Sequence, residues 1–389
     1  MSTRTTQATT TDEILAEMRP YLDDEPPWLS LPPRAFTDPG LYELERVKVW
    51  GRSWVLVAHA DQLAATGDYV SLSIAGEPVL ITRDEDGVLH AMSPVCRHRL
   101  MPVVESDTSG NAESFTCPYH LWKYRLDGRL AGATFMKGNP DFDPKTCRLP
   151  EFAVEEWKGL VYVNLDRDAE SYAAHLDLVA GELANWKFEE MVQVASWTED
   201  WDANWKLAYE NGTENYHVIG LHPNTLDPFM PGRNDMWLNQ VSPWLTHGRF
   251  PFAQTLPPET LPLTEEQRAN ATALLQFPSG GLITFGDQAV WVTFIPQSID
   301  RTLVRFGVLM PAAMAEGADP EALREENTAA AAAINIEDQR GLERVQRTLG
   351  SRFAERGHLS PKEQPGVMIF YRTLTKALLS EDADWPGKL

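Results

Sequence analysis

The chain has 389 residues, too many for one ordinary domain, and 43% of them are hydrophobic, enough for two separate cores. A net charge of -22 argues against nucleic acid or an anionic membrane surface as a partner, by simple repulsion. Only three cysteines occur, so a disulfide framework is excluded and each cysteine is informative.

The polar, Thr-rich stretch Met1–Thr11 lacks the apolar centre of a signal peptide. No run reaches the roughly 18 to 20 apolar residues of a membrane span. A cytoplasmic protein with a short disordered start is expected. Thr11-Asp12-Glu13 followed by Ile14, Leu15 and Met18 predicts a capped helix to about Arg19-Pro20. Pro26, Pro27, Pro32 and Pro33 then give an extended arm, so residues 1–40 form an arm with one short helix. Leu41, Leu44, Val47 and Trp50 have helical spacing. From Trp54 the pattern changes to β-rich runs at 54–57, 68–72, 79–82 and 89–92, with Gly67, Gly76 and Asp86-Gly87 as turns. A small all-β unit closing near Gly159–Asn164 is predicted, and with the preceding helix it makes a domain over 41–165.

Inside that unit lie Cys96-Arg97-His98 and, after an 18-residue gap, Cys117-Pro118-Tyr119-His120. Two thiolates and two imidazoles, one of each per loop, suit a [2Fe–2S] cluster with cysteine on one iron and histidine on the other. Neutral histidines lower the cluster's negative charge and raise its potential relative to an all-cysteine centre. A Cys2His2 zinc site is the alternative for the same four residues. Cys147 has no partner motif and reads as a buried structural thiol.

The stretch 204–222 reads as a helix carrying His217 and His222, with carboxylates just upstream. Two imidazoles and one carboxylate on one face of a metal are the ligands of a non-haem Fe(II) site with positions left open. A pair spaced i,i+5 lies about 140° apart on a regular helix. Gly220 as a helix stop, and Pro223 pushing His222 out of the helical region, supply the distortion that lets the rings converge. Residues 224–280 are loop-like, with a polar helical piece near Glu265–Leu275, and His247 is no ligand. Residues 281–285, 290–296 and 302–309 are three successive antiparallel strands. A last long helix runs from about Pro320 to Leu349. The aromatic residues Trp237, Trp244, Trp291 and Phe294 suit a cation cage, the walls of a ring-binding slot, or plain core packing.

Cys96-x-His98 with Cys117-Pro118-Tyr119-His120-x-Trp122-x-Tyr124-x-x-x-Gly128-x-Leu130, and later Asn204-Trp205-Lys206 with Glu210-Asn211, resemble the ring-hydroxylating oxygenase α-subunit family of Rieske non-haem iron oxygenases. That family includes choline, betaine and carnitine monooxygenases, and the likeness spans about residues 40–375. Leu100 and Leu121 stand where many members have glycine, which implies altered packing over the cluster. The resemblance implies an α+β fold: a Rieske β-sandwich domain, then a helix-grip domain over 166–389 whose curved antiparallel sheet wraps a long helix. It implies iron held by His217, His222 and Asp338; helix spacing points Asp338 inward with Ile334, Leu342 and Val345 and turns Glu337 about 100° away, to solvent. It also implies that Glu214 links His217 to His120 of the next protomer in a trimer; an ordinary exposed glutamate is the alternative, since many members have aspartate there. The activity implied is O2-dependent oxidation of an organic, aromatic substrate. Electrons would come from NAD(P)H through a separate reductase, with or without a ferredoxin. Glu-Asn-x-x-Glu-x-Tyr-His also resembles the quaternary-amine branch, and a Rieske electron carrier with a mere binding domain is a third reading.

Overall fold

The computed structural model of the chain describes residues 10–380; the expected disordered start lies outside them except for its last two residues. The chain divides into two compact units, one over Trp54–Leu176 and the other built from residues flanking it on both sides. Residues 41–53, expected in the first domain, belong to the second unit, and so do 177–380. The reason is a buried ion pair. The helix Pro39–Lys48, capped by the Asp38 carboxylate on the Leu41 amide, presents Glu45 to Lys206 and to the Trp205 indole. Trp50 packs edge-on against Trp205, with ring centroids 5.3 Å apart.

The Trp54–Leu176 unit is the expected β-rich body. A seven-stranded antiparallel sheet has the order Val55–His59, Leu160–Asn164, Glu151–Trp157, Leu89–Met92, Glu77–Arg83, Asp68–Ile74, Thr108–Asn111. A smaller sheet of Phe115–Thr116, Lys123–Tyr124 and Leu130–Gly132 carries the second Cys/His loop. Leu80, Met92, Phe115, Trp122, Tyr124 and Leu149 form the core beneath both loops.

In the other unit a curled seven-stranded antiparallel sheet has the order Met191–Trp201, Arg301–Pro311, Gln288–Ser298, Gly280–Phe285, Asn270–Gln276, Leu245–Pro251, Trp237–Ser242. The three predicted strands are its Gly280–Phe285, Gln288–Ser298 and Arg301–Pro311 members. The segment read as loop holds three more strands. The helical piece near Glu265 stops at Ala269, where Asn270 turns into a strand. The Pro320–Leu349 helix exists and packs along the Met191–Trp201 strand; of its thirty residues only Leu342 is buried. It is not the last helix. Gln364–Leu379 follows and buries Val367, Phe370, Tyr371, Leu374 and Leu378, an i, i+3, i+4 stripe legible in the sequence.

Glu45, Lys206 and Glu210 are ionisable groups locked inside this unit. Glu45 and Lys206 are 0% and 1% exposed and meet at 2.8 Å. Burial pulls the lysine down from its ordinary range, and Glu45 opposes that pull. Removing one partner strands the other charge, so Glu45→Ala should cost about 3–5 kcal/mol in urea unfolding. Glu210 has its Oε1 buried without a partner. Burial pushes its carboxyl up to about 8, against a hydrogen bond from Tyr371. In the unfolded chain it ionises near 4.5, so the folded state binds more protons between those values. Stability should therefore fall as pH rises through that window, by at most about 1.4 kcal/mol per pH unit. Glu210→Gln should flatten the slope in urea titrations run at a series of pH values.

Candidate functional site

The two Cys/His loops are built alike. The Cys96 amide donates to the carbonyl of Met101 and its own carbonyl accepts from Leu100; the Cys117 amide donates to Trp122 and its carbonyl accepts from Leu121. Each loop thus closes at the fourth and fifth residues after its cysteine. Closing that tightly forces the fourth residue into the left-handed region, and Leu100 and Leu121 both have φ of 61°. This is why glycine suits the position. The two leucines are 74% and 62% exposed.

Cys96 and Cys117 are buried, and the His98 and His120 rings lie 4.5 Å apart. The Nδ1 atoms of both histidines are buried without a hydrogen-bond partner. Two buried imidazole nitrogens beside two buried thiols fit a [2Fe–2S] cluster, because a bond to iron is what would satisfy them. Partial burial and the charges of His98 and Arg99 hold the His120 imidazole below its ordinary range, favouring the neutral form that binds metal. Two motif residues to which the sequence assigned no role support the site. The Tyr124 hydroxyl sits 3.3 Å from Cys96 Sγ, and the Trp122 ring stacks on His98 at 5.0 Å. Cys147 is half-buried against this core, and burial raises its thiol.

The 204–222 stretch is two helices rather than one. Trp205–Asn211 ends at Gly212, where the Thr213 hydroxyl caps the carbonyl of Glu210. The Glu214 carboxylate then accepts from the amides of Tyr216 and His217, starting a fresh turn over Val218–Leu221. Gly366 of the C-terminal helix presses against this break: a Cβ there would meet the Thr213 carbonyl oxygen at 1.9 Å. Gly220 lies within the short turn and does not end it. His222, before Pro223, has ψ of 39° and leaves the helical region as expected.

His217, His222 and Asp338 offer ligand atoms that all lie within 4.8 Å of one another. Their second contacts are symmetrical. His217 Nδ1 donates to Glu214 Oε1 at 2.5 Å, and His222 Nδ1 donates to Glu337 Oε2 at 2.7 Å. Each Nε2 then faces Asp338 Oδ1, at 3.7 and 2.9 Å. Asn211 Nδ2 donates to the same Asp338 oxygen at 3.0 Å. A carboxylate behind each imidazole sets its tautomer and leaves Nε2 free, the arrangement a divalent metal needs. Burial lowers the His222 imidazole, but Asp338 and Glu337 more than reverse this and hold it above its ordinary range. Glu337 is therefore not the solvated residue expected from helix geometry. Its side chain reaches back to His222 and also accepts from the Thr225 hydroxyl. Glu214 is likewise engaged rather than exposed.

A cavity of about 220 Å³ opens on His217 and Asp338. Its walls are largely apolar, with Met230, Phe250, Leu282, Val292 and Phe294 prominent; among the described residues no lysine or arginine lines it. Of the four candidate aromatics only Phe294 is there. Trp244 and Trp291 are buried elsewhere, and Trp237 is 46% exposed beside His247 and Arg249. His247 is buried and away from the His217, His222 and Asp338 group.

Alanine at His217, His222 or Asp338 should abolish binding of the single Fe(II) while the cluster's visible absorbance persists; Cys96→Ala should do the reverse. Glu337→Gln should weaken Fe(II) affinity roughly 10- to 100-fold by competition against a chelator.

A model described as the Rieske [2Fe-2S] domain matches residues 53–152, and one described as the ring hydroxylating alpha subunit (catalytic domain) matches residues 188–380. The carnitine monooxygenase oxygenase subunit of Escherichia coli (strain K12) is 34% identical over 201 residues, 51% of this chain; the chain spans about half, 53%, of that relative's length. The glycine betaine monooxygenase oxygenase subunit of Chromohalobacter salexigens is 27% identical over 92% of this chain and 88% of its own. The quaternary ammonium Rieske monooxygenase CntA, solved with an inhibitor, shares the fold at a TM-score of 0.76 and 23% identity, over 95% of this chain and 99% of its own. Naphthalene 1,2-dioxygenase from Rhodococcus sp. does so at 0.77 and 20% identity, over 96% and 99%. With a Rieske [2Fe–2S] domain followed by a catalytic domain that binds mononuclear iron, the chain belongs to the family of Rieske-type ring-hydroxylating oxygenase α subunits.

Proposed function

We propose that the chain is the terminal oxygenase of a multicomponent system that oxidises a small organic molecule, with aromatic substrates as the first reading. The observation that carries this is the His217, His222 and Asp338 group at the mouth of an apolar cavity, in a chain that also holds a paired Cys/His site. When bound, the cluster passes single electrons and the iron activates dioxygen. Cys96, His98, Cys117 and His120 would hold the first; His217, His222 and Asp338 would hold the second.

The chain's own residues position and exclude. Glu214 and Glu337 orient the two imidazoles, and Asn211 holds one oxygen of Asp338. The aliphatic wall keeps bulk water from the reacting face, so an oxidising step there meets substrate rather than solvent. The electron-relay unit is put at 54–176 and the catalytic unit in the remainder. Electrons would arrive from NAD(P)H through a separate reductase, with or without a ferredoxin, and a cytoplasmic location suits that supply. Among the described residues no helix is long and apolar enough to cross a membrane. A homotrimer in which Glu214 also meets His120 of the next protomer completes the proposal. Oxidation of a quaternary amine is the second reading, supported by what the carnitine and glycine betaine relatives are named for.

The deciding experiment is a single turnover of chemically reduced protein under 18O2, with arenes, aromatic carboxylates, phenols, anilines and quaternary amines, read by mass spectrometry. A labelled diol or phenol is expected, and the number of labelled atoms separates mono- from dioxygenation. Aldehyde released from a methylammonium compound would establish the second reading instead. Products identical in Asp338→Ala would sink both.

A further inference from the structure

The two histidines of the cluster site hold equivalent places in the sequence but are covered differently. The His98 ring lies nearly parallel to Trp122, 5.0 Å away, and Trp122 is itself buried with Phe142 against it. The His120 ring lies on Tyr119 at 4.0 Å, and Tyr119 is 50% exposed. The guanidinium of Arg99 sits over that same Tyr119 ring, 5.2 Å from its centre. Arg99 is exposed, so guanidinium, phenol ring and imidazole make one continuous run from the surface to the cluster site.

Arginine stays charged at any working pH and favours the face of an aromatic ring. A guanidinium loose in water spreads its charge over many positions, and salt screens it. The Tyr119 face gives this one a fixed place. Nothing in either loop cancels it, because neither 97–101 nor 118–126 contains a carboxylate. Its charge is felt at His120: after partial burial and the charge of His98, Arg99 is the third influence that holds that imidazole below its ordinary range. A fixed cation here runs against the trend of a chain whose net charge is -22.

We infer that Arg99, placed by the Tyr119 ring, raises the reduction potential of the cluster from the His120 side. The inference rests on Cys96, His98, Cys117 and His120 holding a [2Fe–2S] cluster. Reduction adds one negative charge to such a cluster, and a cation held close stabilises that state more than the oxidised one. Trp122 carries no charge, so the His98 side has no counterpart. The cluster then fills more readily from its electron donor. Arg99 touches no reacting atom; it acts through Tyr119 and is a positioning residue for the electron.

A redox titration of the cluster in the full chain, followed by its visible absorbance at neutral pH under argon, tests this. Arg99→Gln should lower the potential, so that the reduced-to-oxidised ratio at a fixed applied potential falls roughly three- to tenfold. Arg99→Lys, which keeps the charge, should recover most of that ratio. In a Tyr119→Leu background the same Arg99→Gln exchange should change the ratio by less than about twofold, because the guanidinium has no ring face to hold it. An unchanged ratio in Arg99→Gln, a lysine variant as low as the glutamine variant, or an equal change with and without the Tyr119 ring would overturn the inference. Loss of the cluster's absorbance in Arg99→Gln would do so too, by making Arg99 part of the site's construction. A wild-type chain without that absorbance would instead overturn the cluster reading beneath it.

Discussion

The catalytic unit depends on bringing two neutral imidazoles and one carboxylate to a single point from segments more than a hundred residues apart. An imidazole turns freely about its side-chain bonds, so contact alone does not aim its Nε2. The chain answers with a glutamate behind each ring: Glu214 on His217 and Glu337 on His222. Each carboxylate accepts a hydrogen bond from Nδ1–H, which sets the tautomer that gives Nε2, on the Asp338 side, to a metal. Without those two bonds the three side chains would still be neighbours, but they would not form a ligand set.

Such a constellation has to be mounted on something that does not move. The Trp205–Asn211 helix is pinned by the buried Glu45–Lys206 pair and by Trp50, both drawn in by the N-terminal segment. The C-terminal helix closes on the other side, where Gly366 lets its backbone touch the break that releases Glu214. A helix that ends at Gly212 and restarts at His217 is shorter than either ridge needs for independent stability. Its first part persists because Trp205, Lys206, Leu207, Ala208 and Tyr209 are all buried. Ends of the sequence that carry no ligand are thus what hold the ligands in register.

In the Trp54–Leu176 unit the geometry is set by closure rather than by charge. Two loops of equal span bring Cys96 and Cys117 under cover and turn the His98 and His120 nitrogens to buried positions without partners. The strain of that closure falls on Leu100 and Leu121, whose left-handed backbone costs roughly 1–2 kcal/mol each relative to a residue without a Cβ. Their exposure means that no packing inside this unit repays it.

Motif chemistry was legible in the sequence because it is local. Cysteine–histidine spacing states a ligand set within a few residues, and Pro223 after His222 states a helix end. The β-rich character of 54–164 and the strands over 280–311 were also written in alternation and turn residues. What the tertiary structure alone decided are contacts whose partners are distant in the chain. Helix geometry turned Glu337 to solvent, but a glutamate side chain is long enough to reach back to His222, and no local rule contains that reach. The strand at 270–276 lacked a clean period because both of its faces are buried, Ala271 and Ala273 on one and Thr272 and Leu274 on the other, whereas the strand at 237–242 is largely exposed and polar. Residues 10–53 joined the catalytic unit, held there by a carboxylate–ammonium pair 161 positions apart. A sequence displays donors and acceptors; which of them meet is settled by desolvation, and desolvation exists only in the folded chain.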